Sequence, residues 1–267
     1  MTEPQISVRS LLRETFATAG SLYAPLLTIK SPSLIFAALN SFGNRGSAGV
    51  AFKIIYSFVV IPLLSGAMIF YTYRSLTRNQ VTVGQAFNQA NRRLLHLIWV
   101  SIMVLVRVVA GSSVLVLAGS SVLVLVFGIA LLIPWLSRGY YLVSSRYSVL
   151  VGAVVFPLVI ITALYLACRL IFSLYATVID NSSAVDSLSS SWELTKGRGW
   201  LVFRASFLIV LVVGVPIILI SLLIDPTGKS LPSQLTSNLL GFFTGPLMDV
   251  YFVLLYLRLR ESAATIE

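Results

Sequence analysis

Runs of apolar residues, each long enough to cross the ~30 Å hydrocarbon core of a bilayer, follow one another along almost the whole chain. Seven such segments lie at Leu22–Leu39, Val50–Tyr73, Leu95–Ala118, Gly119–Leu136, Val149–Val178, Leu201–Leu223 and Leu235–Leu257. Within lipid the backbone must satisfy its own hydrogen bonds, and the chain lacks the series of alternating strands that a barrel requires. The sequence therefore predicts an all-α polytopic bundle of transmembrane helices.

Composition agrees with this prediction. Of the 267 residues, 57% are hydrophobic and 10% are charged, whereas about 25% of the residues in soluble domains are charged. No stretch is left for a separate soluble domain, so we expect residues 1–267 to form a single membrane domain. The net charge of +10 comes from Lys and Arg residues scattered beside the apolar runs, which favours the lipid bilayer and its anionic headgroups as partners and argues against nucleic acid.

The basic residues also predict the orientation of the chain. The loop after the second segment carries Arg74, Arg78, Arg92 and Arg93 without a compensating acid, so we place it and both termini in the cytoplasm. If Gly119–Leu136 is re-entrant and breaks at Pro134, six spans result, and most basic residues of the second half are also cytoplasmic. If that segment crosses fully, there are seven spans and those residues fall outside. Six spans give the larger cytoplasmic excess of Lys and Arg.

Three short amphipathic helices are predicted at the membrane surface, beginning after Ser7, Thr82 and Ser183, which have N-cap side chains. Their apolar stripes are Val8, Leu12 and Phe16; Val83, Phe87, Ala90 and Leu94; and Ala184, Leu188, Trp192 and Thr195. Each helix precedes a pair of apolar segments. The chain therefore reads as three repeats, at about residues 5–73, 81–179 and 182–260, although chance remains an alternative because such caps are common.

Two segments carry a resemblance to a known family. RLIFSLYATVIDNSSAVDSLSSSWELTKGRGWLVF (Arg169–Phe203) and YFVLLYLRLRE (Tyr251–Glu261) resemble bacterial membrane proteins grouped with the membrane domain of glycerophosphoryl diester phosphodiesterases. Ser187 stands where that family usually has Ala. The matching residues are Arg169, Ser191, Trp192, Leu194, Thr195, Lys196, Gly197, Tyr256, Leu259 and Arg260. The resemblance implies a six-span helical fold in the bacterial inner membrane, and in that family the membrane part has no settled activity.

The inventory of reactive side chains argues against an enzyme. The chain has one histidine, His96, and one cysteine, Cys168, so a Ser-His-Asp arrangement, a His-rich metal site and an HExxH helix are all absent or incomplete. We expect no catalytic residues, no metal and no cofactor. An enzyme acting on lipid headgroups would have to use Asp and Glu alone.

Two charges lie inside predicted spans, at Arg107 and Asp249. An unpaired charge in hydrocarbon costs a few kcal/mol, so we expect these two side chains to pair across the bundle. A structural ion pair, a proton or ion relay, and separate snorkelling toward the membrane surface are the alternatives.

Two functions follow from these patterns. The first is a non-enzymatic membrane scaffold, assembly or regulatory factor that acts through the amphipathic helices on anionic lipid or on a membrane-protein partner. The second is a transporter or channel for a small or amphipathic solute, with a midplane site built from Arg107, Asp249, Lys30 and the Gly119–Leu136 segment. The sequence specifies no oligomeric state.

Overall fold

The computed structural model describes residues 7–36, 47–77, 79–110, 161–225 and 231–264, and these residues form helices and connecting turns, without strands. The helices are α1 (Val8–Lys30), α2 (Ser47–Ile55), a π-helical turn (Tyr56–Val60), α3 (Ile61–Leu76), α4 (Val83–Arg92), α5 (Leu94–Ala110), α6 (Ile161–Ile179, with a turn at Ile171 and Phe172), α7 (Ala184–Leu194), α8 (Gly199–Ile224) and α9 (Leu231–Ala264). The all-helical prediction is confirmed for this part of the chain.

Contacts divide the chain into two units. The first comprises Met1–Ile102 and Leu170–Glu267, and the second comprises Met103–Arg169. The described part of the second unit consists of the end of α5 and the beginning of α6, where the Arg169 guanidinium lies 5.3 Å from the centroid of the Tyr165 ring. The helix packing below concerns the first unit.

Four helices of the described residues are long and apolar enough to cross a membrane: Val50–Leu76, Ile161–Ile179, Gly199–Ile224 and Leu235–Ala264. A fifth results if α4 and α5, which meet at an angle of 65°, are counted together. These helices coincide with five of the predicted segments. Gly119–Leu136 lies outside the described residues.

The N-terminal region differs from the prediction. We expected a short helix over Ser7–Phe16 and a separate span at Leu22–Leu39, but α1 runs without a break from Val8 through Pro25 to Lys30. The helix continues past Gly20 and Pro25, although both residue types commonly end helices. It packs against α9 as well as α3 and α8, and this packing supports a continuous helix.

Helix α9 lies at the centre of the first unit. It contacts α1, α8, α3 and α7, and every residue from Val250 to Tyr256 is buried. A helix that is buried on all sides must be surrounded by its neighbours. Helix α8 shows the opposite pattern, with exposed apolar side chains around much of its circumference, as expected of a helix that faces lipid.

The three predicted helix starts are confirmed. Ser7 accepts a hydrogen bond from the Ser10 N–H. Thr82 forms a complete capping box with Gln85, and Ser183 accepts from the Asp186 N–H while its own hydroxyl donates to the Asp186 carboxylate. These caps satisfy backbone N–H groups that the first turn leaves free.

The inward faces of these helices differ from the predicted stripes. In α1 the buried residues include Leu11, Thr15 and Ala19, while Phe16 is exposed. In α4 they are Ala86 and Ala90; in α7 they are Ala184, Ser187, Leu188 and Ser191, with Trp192 partly exposed. Small side chains let helices approach closely, whereas large apolar side chains gain nothing from leaving lipid. Phe16 and Trp192 belong to the predicted apolar stripes, but their side chains are exposed.

Candidate functional site

A lysine and an aspartate lie together between α1 and α9. The two helices are antiparallel neighbours: Glu14, near the start of α1, pairs with Arg258, near the end of α9, at 3.2 Å. Further along, the Tyr23 hydroxyl donates to the carbonyl of Phe243 at 2.6 Å. Lys30, the last residue of α1, reaches the middle of α9, where its ammonium is close enough to Asp249 for electrostatic attraction.

The backbone of α9 is adapted to hold this lysine. Lys30 Nζ donates to the carbonyl of Gly241 at 2.8 Å. It also occupies the space that a Cβ on Gly245 would need. Pro246 follows directly, and because proline has no N–H it removes one hydrogen bond from this part of the helix. That N–H would have bonded the carbonyl of Phe242, and the side chains of Lys30 and Tyr23 donate to the carbonyls on either side of it, those of Gly241 and Phe243.

Lys30 and Asp249 line a cleft of about 460 Å³ in the first unit. Its other polar lining residues are Ser33, Tyr56, Ser65 and Tyr175, and its apolar wall includes Leu64, Met68, Ile69, Leu174 and Phe252. Tyr56 begins the π-helical turn and stacks on Phe36, with ring centroids 4.9 Å apart. Such turns are frequent at functional sites. A cleft of this kind suits a small solute that has both a polar group and an apolar body.

Polar and charged groups meet at one end of the first unit. Arg260 pairs with Asp180 at 2.6 Å, and the Tyr256 hydroxyl also donates to Asp180. Arg198 donates to the carbonyls of Leu259 and Ser262, both at 3.3 Å. These contacts tie the ends of α6 and α9 to the start of α8.

The loop with the four arginines reaches the same end. Arg93, at the bend between α4 and α5, donates to the carbonyl of Thr177, near the end of α6, at 3.3 Å. We call this part of the molecule the basic end; it comprises the starts of α1, α5 and α8, the ends of α3, α6 and α9, and the helices α4 and α7.

Comparison with known protein families places the chain. A family model described as a domain of unknown function, DUF7847, matches residues 7–259. The chain belongs to this family. No curated protein and no solved structure matches it. The DUF7847 match covers all nine helices named above except the end of α9, and the resemblance to the phosphodiesterase membrane domain stays a prediction.

The residues that carried that resemblance lie mostly at the basic end of this DUF7847 chain. Ser191, Thr195 and Leu259 are fully buried. Gly197 adopts a φ of +76°, which favours glycine and ends the turn after α7. Leu194 is half-buried and Lys196 is exposed.

Contacts join the two halves of this motif. Tyr256 and Arg260 from the second segment both meet Asp180 from the first. No sequence pattern indicated that Asp180 or Arg198 would connect them, because the bonded residues are at least 61 positions apart and only tertiary contacts bring them together.

The remaining predicted residues are spread more widely. Arg107 is exposed and belongs to the second unit, so its pairing with Asp249 stays a prediction. Arg74 lies over the Phe70 ring, 5.5 Å from its centroid. Arg92 and His96 are exposed, and Arg78 lies outside the described residues. Lys30, which the transporter hypothesis had grouped with Asp249, is the residue that the structure brings to it.

Proposed function

We propose that this DUF7847 chain is a non-enzymatic integral membrane protein that acts as a scaffold, assembly or regulatory factor through the polar helices of its basic end. The observation that carries the proposal is that α4 and α7 are fixed to the bundle on one side only. Small buried residues, such as Ala90 and Ser187, face inward. Polar side chains, including Asn88, Arg92 and Glu193, face outward, where a partner can bind them.

We further propose six spans with both termini in the cytoplasm of a bacterium. The Arg93–Thr177 hydrogen bond supports this topology, because it joins the chain before the third predicted span to the chain after the fourth crossing. An even number of crossings between these two residues agrees with the hypothesis that Gly119–Leu136 does not cross the membrane fully. The concentration of basic residues at this one end supports its cytoplasmic orientation.

The scaffold proposal is tested by removing outward-facing charge from α4 and from the turn that follows α7. The double substitution R92Q/K196Q keeps the buried faces intact, and K53Q in α2 is a control for loss of positive charge. After cross-linking in the native membrane, we expect proteins that co-purify with the wild type to decrease several-fold with R92Q/K196Q and to be unchanged with K53Q. Equal recovery from all three would overturn the proposal.

A second candidate function, a transporter for a small amphipathic solute, is favoured by the cleft that holds Lys30 and Asp249. Its test is flux of ethidium and carboxyfluorescein across proteoliposomes. We expect D249N to abolish flux and E193Q, a matched change on the outer face of α7, to preserve it. No wild-type flux of either dye, or flux that is unaffected by D249N, would count against this function.

A further inference from the structure

A second cavity, of about 510 Å³, lies at the basic end between the start of α1 and the start of α8. Its lining residues are Ser7, Val8, Arg9, Trp200, Leu201, Arg204 and Leu208. It shares no residue with the Lys30–Asp249 cleft.

The charge of this cavity is entirely positive. Arg9 and Arg204 both line it, both are exposed, and no acidic residue is among the lining residues. Two other arginines at the basic end are ion-paired, Arg258 with Glu14 and Arg260 with Asp180. Within the described part of the chain, Arg9 and Arg204 form no ion pair. Two guanidinium groups at one cavity favour an anion, and their planar forks match the oxygens of a phosphate.

An aromatic row leads away from the cavity along α8. Trp200 is 68% exposed and stacks on Phe203 with ring centroids 5.4 Å apart; Phe203 in turn stacks on Phe207 at 5.9 Å. Their spacing places them on one face of the helix. Tryptophan is enriched at the level of the headgroups, and the row continues from there into the apolar part of α8.

We propose that this cavity binds the headgroup phosphate of an anionic phospholipid. Arg9 and Arg204 bind the phosphate, and an acyl chain lies along Trp200, Phe203 and Phe207. Anionic lipids are concentrated in the cytoplasmic leaflet, where the basic end lies under the proposed topology. The inference deepens the proposed function and rests on that orientation, but it uses residues other than those of the partner test.

The experiment is native mass spectrometry of the purified protein in mild detergent with added phosphatidylglycerol or phosphatidylcholine. We compare R9Q/R204Q with R13Q/R74Q, which removes the same charge from exposed positions of α1 and α3 outside the cavity. We expect the wild type and R13Q/R74Q to retain one phosphatidylglycerol, and R9Q/R204Q to bind it about tenfold or more weakly, since hydrogen bonds to charged groups are lost. W200A should weaken the binding of phosphatidylglycerol. Glycerol 3-phosphate should still compete for the cavity of W200A as well as it does for that of the wild type.

Any other outcome would contradict the proposal of a lipid site. Equal loss in both double variants would show general surface attraction, and equal retention of phosphatidylcholine would exclude recognition of net negative charge. Binding of glycerol 3-phosphate as tightly as the lipid would assign the cavity to a soluble phosphate. Matching melting temperatures of the variants in phosphatidylcholine nanodiscs verify folding. Loss of lipid without loss of protein partners separates this inference from the scaffold proposal.

Discussion

At the scale of single residues, small side chains decide what can pack. Gly245 leaves room for the Lys30 ammonium, and Gly66 leaves room for Leu97. Gly241, four residues before Gly245 in the same helix, has no such neighbour. The role of a glycine in this bundle therefore depends on its surroundings and not on helix propensity alone.

We expect G245A to displace Lys30, because the new Cβ would lie 2.8 Å from Lys30 Cε and closer still to Nζ. The lysine would lose its hydrogen bond to Gly241, at a cost of about 1.5–3 kcal/mol for a charged donor. G241A is the matched control, since nothing lies within 4 Å of its added Cβ. Chemical unfolding in detergent measures both. A loss with G245A that persists undiminished in a K30A background would contradict this explanation.

At the scale of helices, α4 and α5 both pack against α3, on either side of the bend between them. Gly66 of α3 faces Ala90 of α4 and Leu97 of α5, which lie on either side of the 65° bend. Ala90 and Leu97 are almost fully buried. The close approach at Gly66 thus packs the polar helix α4 and the apolar helix α5 against α3. It also fixes the direction in which α5 leaves the basic end.

We expect G66A to destabilise the protein by about 1–3 kcal/mol, because its Cβ would lie 2.6 Å from a Leu97 methyl group that has little room to move. G84A, in the first turn of α4, meets nothing within 4 Å and should be neutral or slightly stabilising. Thermal unfolding in one detergent compares the two variants. Equal melting temperatures would contradict the packing role of Gly66.

At the scale of the whole molecule, the proposed topology requires α4 and α7 to lie on one side of the membrane. The Arg93–Thr177 and Arg198–Leu259 hydrogen bonds connect the helix ends on that side. Helix α8 begins there and runs 26 residues to Ile224, a length of about 39 Å, enough to cross the bilayer.

We expect single cysteines at Asn88 and Glu193, introduced after C168S, to react with an impermeant maleimide from the same side of oriented vesicles. A cysteine at Asp225, after the end of α8, should react only from the other side. Gel-shift labelling of right-side-out and inside-out vesicles measures this. Labelling of Asn88 and Glu193 from opposite sides would indicate seven spans and overturn the six-span proposal.

Much of the fold was predictable because its causes are local. The helix starts at Ser7, Thr82 and Ser183 depend on side chains three residues apart, and the apolar runs depend on composition. The candidate site was harder to predict from the sequence. Asp249 was identified as a charge needing a partner, but Lys30 and Arg107 were both available, and a choice between them depends on helix packing across the bundle.

The sequence by itself determined that the chain is helical and where most of its helices begin, because backbone hydrogen bonding in an apolar setting and N-capping are satisfied within a few residues. Only the tertiary structure decided which helix faces turn inward and which charges meet. In lipid, an apolar side chain is equally stable on the face of a helix that contacts lipid and on the face that contacts the bundle. Close approach at small residues such as Ala19, Gly66 and Ser187 therefore selects the packing. That packing then brings Lys30 to Asp249 and Arg260 to Asp180.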